Sequence, residues 1–319
     1  MTDVMVAVLV EHRGNEIAQP TLETLTLARS LGAPVAVWMG DQPPADQIER
    51  LGAYGAAEVR VVEVGDGARH AVTAAAAVGS ATADASVVLM VSTFANKEIA
   101  TRLALATGAG VVVDAAGAQM VNGRVETTQT VFAATWDVRT RVNADKAVVT
   151  LRPNTTQALP AETPAAPEVV SVIPLLPEVR ESMVSVTPVE REDGVPLSEA
   201  PVVVSGGRGT GGDYTLVREL ADVLGGAVGA SRDATDEGWI SHEHMVGQTG
   251  VTVTPALYVA CGISGAVHHR GGMQASGTIV AVNIDPDAPI FEIADFGVVG
   301  DLNDVIPQAI AAIKAHRQG

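Results

Sequence analysis

Three observations predict an α/β fold in two parts. Short apolar, β-branched runs alternate with helix-compatible segments through about residue 113, the alternation restarts after residue 201, and a proline-rich stretch separates the two series. Strands alternating with helices build parallel sheets with crossover helices. The sequence is therefore read as an N-terminal, mostly parallel α/β sheet domain over 1–197, its proline-rich connector at about 153–197 included, and a C-terminal doubly wound α/β domain over 198–319. At 319 residues the chain is long enough for two ordinary cores.

Val4 to Val10 is a continuous apolar run, as a strand buried on both faces requires. The polar loop Glu11-His12-Arg13-Gly14-Asn15 follows, without a glycine-rich phosphate turn and with no catalytic role assigned. Thr21 to Leu31 sets Leu22, Leu25, Ala28 and Leu31 near one helical face, and Gly32 ends it before the strand Pro34 to Trp38. Asp46 to Leu51 then reads as helix, Glu58 to Val64 as strand, His70 to Ala77 as helix and Ser86 to Val91 as strand. Lys97 to Thr107 is a further helix, stopped by Gly108 before the strand Gly110 to Val113. Met120 to Val125 contains an Asn-Gly pair and predicts a hairpin, while Val131 to Ala133 and Ala147 to Leu151 read as more strands, so the sheet gains antiparallel pieces.

Nine of the 17 prolines lie between Pro153 and Pro201, which marks this stretch as an extended, semi-rigid connector. Val169 to Ile173 and Met183 to Val186 could each add an edge strand to the first domain. The second domain runs as strand Val202 to Val204, helix Tyr214 to Leu224, then strands at Leu257 to Ala260, Ile279 to Ile284 and, as an option, Ile290 to Ile293. Asp304 to Lys314 closes the chain as an amphipathic helix.

Charge and cysteine usage exclude several function classes. With 37 acidic against 20 basic residues, a formal net charge of −17, the chain repels nucleic acid and anionic membranes at long range. The opening Met1-Thr2-Asp3 carries no basic leader, and no apolar run reaches the ~20 residues of a membrane span, so a cytoplasmic protein without direct membrane insertion is expected. A single cysteine, Cys261, rules out an internal disulfide framework and a cysteine-based metal or iron–sulfur site. It reads as a small buried residue. Redox chemistry would therefore need a bound cofactor.

The candidate site begins at Ser205-Gly206-Gly207-Arg208-Gly209-Thr210-Gly211-Gly212, where a strand enters a glycine cluster ahead of a helix. Such turns let backbone N–H groups approach a phosphate, although the spacing fits neither the dinucleotide nor the P-loop fingerprint. Arg208 can meet a phosphate or an electron-rich ring. Gly262-Ile263-Ser264-Gly265 repeats the strand-to-glycine turn, and two such turns suggest a diphosphate. Ser231-Arg232 follows a strand end, where open α/β sheets bind ligands. Gln248-Thr249-Gly250 offers an amide and a hydroxyl to a heterocycle, and of the tandem His268-His269 at most one should face it, because helical neighbours diverge by about 100°. Asn283 and Asp301 sit at turns suited to ribose or adenine contacts. His242-Glu243-His244 lacks a third ligand, and no metal is expected.

Together, Ser205 to Gly209, Gly229 to Arg232, Gly247 to Gly250, Gly262 to Ala266 and Asn283 to Pro289 closely resemble the alpha subunit of electron transfer flavoproteins, as does Phe296-Gly297-Val298-Val299-Gly300-Asp301-Leu302. The resemblance covers about residues 200–310; earlier residues match only in α/β pattern. It implies one FAD in the second domain and a separate beta subunit that completes a heterodimer and holds AMP. It further implies that Thr249 meets the flavin N5 region, His269 the pyrimidine-side carbonyl and Arg232 the ring system, all favouring a reduced, anionic flavin. Arg208, Ser231, Gln248, Gly250, Gly262, Ser264, Gly265, Asn283 and Asp301 match positions around the flavin, the phosphates and the adenosine. The implied function is an electron carrier without substrate turnover, which takes electrons from flavin dehydrogenases such as those of fatty-acid β-oxidation and passes them to a membrane quinone oxidoreductase. In the family the flavin domain pivots on its linkers, and a proline-rich connector suits that motion. Two readings of other classes stay open: a flavin- or nicotinamide-dependent oxidoreductase with its own substrate, or a non-redox nucleotide-binding subunit.

Overall fold

Val6 and Val8 face one hydrophobic cluster while Ala7 and Leu9 face another, so strand β1 (Met5–Leu9) is covered on both sides, which is why its sequence is apolar without alternation. The computed structural model describes residues 4–65, 70–132, 135–179, 182, 184–185, 187 and 195–318. Two compact units result, residues 1–129 with 137–189 and residues 130–136 with 190–319.

The first unit continues with β2 (His12–Arg13), β3 (Glu16–Ile17), α1 (Gln19–Leu31), β4 (Ala33–Met39), α2 (Ala45–Ala53), β5 (Glu58–Val62), α3 (Ala71–Ala81), β6 (Val87–Val91) and α4 (Phe94–Thr107). Thr93 caps α4, its Oγ1 accepting from Asn96 N at 3.0 Å, and Gly108 ends the helix in the left-handed conformation at φ 68°. Then follow β7 (Gly110–Ala115), β8 (Gly117–Val121), β9 (Arg124–Val131), β10 (Trp136–Arg141), β11 (Ala147–Leu151) and β12 (Glu168–Val172). Seven strands pair in the order β12-β5-β4-β1-β6-β11-β7, with every pair parallel.

Several elements differ from the sequence reading. The stretch from Glu11 to Asn15 is no plain loop: β2 and β3 form a small antiparallel hairpin, and His12 stacks on Trp38 with ring centroids 3.9 Å apart. The antiparallel strands β8, β9 and β10 make a separate three-stranded sheet rather than joining the main one, and β11 enters the main sheet parallel. Val131 ends β9, Phe132 lies in a turn, and Ala133 falls outside the described residues. The early part of the proline-rich stretch is no free spacer. Leu159 O accepts from Arg29 Nη2 at 2.7 Å, and Ala161 N and Ala165 N donate to the carbonyls of Ala53 and Gly52 at 2.8 and 3.0 Å, so the chain is bound to this unit before β12 takes the sheet edge. Met183 and Val186, the ends of the other possible edge strand, lie outside the described residues.

One ion pair gives this unit a pH signature. Arg60 on β5 donates to both carboxylate oxygens of Asp84, at 2.5 and 2.9 Å, and to Glu58 at 2.7 Å. The guanidinium hydrogen bonds hold the Asp84 carboxyl below its usual range. A folded pKa below the unfolded one means that the stabilisation is complete above about pH 4 and is lost as pH falls through the folded value. Because Asp84 is half exposed, Asp84→Asn should cost only about 1 kcal/mol at neutral pH. Denaturant midpoints of the two proteins should converge on acidification; a gap that stays constant as pH falls below about 4 contradicts the pairing.

The second unit contains β13 (Val202–Gly206), α5 (Thr215–Leu224), β14 (Ala227–Ala230), α6 (Arg232–Asp236), β15 (Leu257–Cys261), α7 (Val267–Met273), β16 (Thr278–Asn283), β17 (Phe296–Val299) and α8 (Leu302–Gln318). Its parallel sheet runs β14-β13-β15-β16-β17. Val204, Val259, Cys261 and Val282 pack with α5 and α8 on one face. Val203, Tyr258, Ala260 and Ala281 pack with Met273 of α7 on the other, which makes the unit doubly wound. The optional strand at Ile290 to Ile293 is instead a single 3-10 turn, Pro289–Glu292, and the edge strand is β17. Pro289 explains the difference, since it opens a turn readily and cannot donate to a ladder.

Candidate functional site

The strand order of the second unit, in its own sequence of strands, is 2-1-3-4-5, and the order reverses between β13 and β15. Ligands in open α/β sheets bind beyond the carboxyl ends of strands at such a switch point. Both glycine turns emerge there. Gly207 N donates to Cys261 O at 2.9 Å and Gly209 N to Gly262 O at 3.0 Å, so the turns are bonded to each other. Their approach is too close for side chains: a Cβ on Gly209 would stand 2.7 Å from Gly262 Cα, and Gly262 itself has φ +62°. Tyr214 Oη donates to Gly206 O at 2.9 Å and fixes the strand end. Gly207 and Gly209 thus spend their own N–H groups internally. Among the described residues no acceptor takes the backbone N–H of Arg208 or Ser264, which leaves those two donors for a ligand.

A cavity of about 500 Å³ lies over these turns. Eight of the residues singled out from sequence line it: Arg208, Ser231, Arg232, Thr249 and Gly262, together with Ser264, His269 and Asn283. Asn283 Nδ2 donates to Ile263 O at 2.9 Å, which ties the end of β16 to the second turn. Ser231 caps α6 by accepting from Ala234 N. Four others do not line it. Gln248 stands beside it and meets His268 Nδ1 at 3.1 Å. Gly250 makes room for Met245 O, which a Cβ would approach to 2.2 Å. Gly265, at φ +86°, does the same for the Ile290 backbone. Asp301 caps α8, its Oδ1 accepting from Asn303 N at 2.8 Å.

Both histidines of the tandem line the cavity, contrary to the expectation that only one would. His268 is exposed and its Nδ1 meets Gln248 Oε1, whereas His269 is only 6% exposed. Burial pushes the His269 imidazole down to about 4, an effect that the Val246 backbone and Asp233 only partly offset, so the ring is neutral at pH 7. Its Nε2 meets Tyr258 Oη at 2.9 Å, while Nδ1 finds no partner within hydrogen-bonding geometry among the described residues.

The two arginines bring positive charge to the cavity of an acidic chain. Arg208 Nε pairs with Asp233 at 3.0 Å and Arg232 Nε with Asp236 at 3.1 Å. All four side chains are more than half exposed, where such pairs are worth about 0–1 kcal/mol, so either guanidinium can turn to an anionic ligand at little cost. Asp233 and Tyr258 were missed by sequence reasoning, and Ser205 was read only as the opening of the first glycine turn. Asp233 follows the Ser231-Arg232 pair directly, but Tyr258 lies within a strand and reads as core.

Residues 6–176 match the electron transfer flavoprotein domain, and residues 196–274 match the electron transfer flavoprotein FAD-binding domain. An electron transfer flavoprotein subunit alpha from Mycobacterium leprae is 44% identical over 97% of this chain and 98% of its own length. The subunit alpha of Bacillus subtilis is 35% identical over 95% of each. The chain belongs to the electron transfer flavoprotein alpha-subunit family.

The FAD-binding domain of this electron transfer flavoprotein chain contains both glycine turns and the Thr249 loop, and its matched span ends just after α7. The residues present fit a dinucleotide flavin. The spare N–H groups of Arg208 and Ser264 and two exposed guanidinium groups suit phosphate oxygens, and the unpartnered His269 Nδ1 suits a polar edge of a ring. In the whole electron transfer flavoprotein chain, no helix among the described residues is long and apolar enough to cross a membrane.

Proposed function

We propose that this chain is the alpha half of a heterodimer, that it carries one FAD at the β13–β15 switch point, and that a beta subunit completes the particle and holds AMP. The observation that carries this reading is the pair of mutually bonded glycine turns under a cavity lined by Arg208, Arg232, Thr249 and His269, within a matched FAD-binding domain. Arg208 and Ser264, with the adjoining Gly265, would hold the phosphates; Thr249, His269 and Arg232 would hold the ring end; Asn283, and more remotely Gln248 and Asp301, would frame the adenosine side. When bound, FAD supplies reversible one- and two-electron redox chemistry. The protein's own part is to bind and orient it and to set hydrogen bonds at the edge where charge appears on reduction. The carrier turns over no substrate. It receives electrons from flavin dehydrogenases, acyl-CoA dehydrogenases of fatty-acid β-oxidation among them, and delivers them to a membrane quinone oxidoreductase from the cytoplasm. The division near residue 198, with the connector of about 153–197 counted in the first domain, belongs to the same reading.

The test is copurification with a candidate beta subunit, then mixing with substrate-reduced acyl-CoA dehydrogenase under anaerobic conditions. One FAD per heterodimer, reduced by the dehydrogenase and not by the acyl-CoA alone, is the expected result. A colourless complex after FAD reconstitution overturns the cofactor assignment. Flavin reduced directly by a small substrate would favour an oxidoreductase.

A further inference from the structure

Tyr258 is fully buried in β15, and its hydroxyl lies 2.9 Å from His269 Nε2. The two rings meet edge-on, with centroids 6.1 Å apart at 60°. Ser205, on β13, shares this face of the sheet, because Val203 is the register partner of Tyr258 and Ser205 lies two residues further along. Its Oγ is close enough to act electrostatically on the phenol, yet it is buried without a completed hydrogen bond. A line of three polar groups, Ser205, Tyr258 and His269, thus runs through an otherwise apolar layer to the cavity wall.

Proton counting orders this line. Burial pushes the Tyr258 phenol up, so it keeps its hydrogen and has one to give. If the phenol donates to Nε2, its oxygen stays open to the Ser205 hydroxyl, and a neutral imidazole must carry its own hydrogen on Nδ1. If Nε2–H donates instead, the phenol must give its hydrogen to Ser205 Oγ, and the serine hydrogen is left in an apolar layer with no partner. Nδ1 would then be a lone pair on a ring whose other neighbours, the Val246 backbone and the Asp233 carboxylate, both act as acceptors that favour a hydrogen there. Only the first order agrees with both ends.

We propose that Tyr258 is a positioning residue whose hydroxyl donates to His269 Nε2, holds the ring as the neutral Nδ1–H tautomer and so presents one uncharged N–H to an oxygen or nitrogen acceptor on the flavin edge. This inference rests on the reading that the cavity takes FAD. It also narrows the choice between hydrogen-bond donor and positive charge at this position. A ring that is 6% exposed and flanked by a phenol is a donor without net charge.

The experiment is nitrogen-15 NMR of the FAD-loaded heterodimer with this chain labelled at histidine, the His269 signals being assigned by their loss in His269→Gln. Wild type should show a protonated Nδ1 and an unprotonated Nε2, unchanged from about pH 6 to about pH 8. In Tyr258→Phe the preference for Nδ1–H should fall by about tenfold toward an even mixture, as expected for the loss of one buried hydrogen bond, and the flavin midpoint potential should shift with it. Ser205→Ala should move the ratio the same way, by less. An Nε2–H tautomer or an imidazolium in wild type overturns the proposal, as does an unchanged ratio in both variants. The wild-type spectrum decides even if Tyr258→Phe fails to fold. A heterodimer that binds no FAD would sink the reading of the cavity and the cofactor half of this inference, while the ring shifts still decide the Tyr258–His269 half.

Discussion

Gly262→Val is expected to weaken FAD binding by at least about a hundredfold, the equivalent of roughly 3 kcal/mol, while the sheet beneath persists. Two costs combine. The residue sits at φ +62°, where a β-branched side chain is strongly disfavoured, and its Cβ would stand 2.7 Å from Gly209 Cα and 3.0 Å from Leu302 Cδ1. Leu302 is the end of a side chain and can yield. Gly209 is backbone and can move only by giving up its 3.0 Å bond to Gly262 O, which joins the two turns. Relief of the clash therefore parts the turns and displaces the N–H groups of Arg208 and Ser264. Flavin fluorescence titration of the variant heterodimer, with far-UV circular dichroism to confirm the fold, reads both effects. Affinity within threefold of wild type would show that these turns do not cradle the cofactor.

Most of the framework was legible because it obeys two periods. Runs such as Val4 to Val10 and Val202 to Val204 are apolar throughout, as interior parallel strands require, and helices α1, α4 and α5 end at glycines. Legibility fails where pairing depends on distant chain. Ile290 to Ile293 has strand composition, but the edge of the sheet is taken by Phe296–Val299, whose partner Val280 to Asn283 is fixed only in three dimensions. Likewise nothing in the composition of Leu159 to Ala165 announces its hydrogen bonds to Arg29, Ala53 and Gly52.

In the site the same division holds. Glycines and arginines next to strand ends announce themselves, and eight of the twelve chosen residues line one cavity. Gly250, Gly265 and Asp301 are there for backbone reasons, which sequence shows only as small or turn-forming residues. Tyr258 was invisible for the opposite reason. An aromatic residue within an apolar strand is what any core contains, and only the direction of its hydroxyl toward His269 separates the two cases.

Gly272→Ala sets local propensity against packing, and packing should win. Within a helix such as α7, replacing glycine by alanine normally gains up to about 1 kcal/mol. Here the new Cβ would stand 2.4 to 2.6 Å from the Cα, N and C atoms of Gly247. All three are backbone, so no side chain can rotate away, and overpacking of this kind costs about 1–3 kcal/mol or more. The contact joins α7, which carries His268 and His269, to the loop that carries Gln248 and Thr249. That junction is also held by the 2.8 Å bonds from Gln248 N to His268 O and from Val253 N to Gly272 O. The alanine must push the loop and the helix apart, so Thr249 and His269 can no longer close on one ligand. We expect a net loss of stability of about 1–2 kcal/mol and at least a tenfold loss of FAD affinity, read by thermal melting and flavin titration of the heterodimer. A raised melting temperature with unchanged affinity would mean that the loop yields freely, and that His269 and Thr249 are not held in register by this contact.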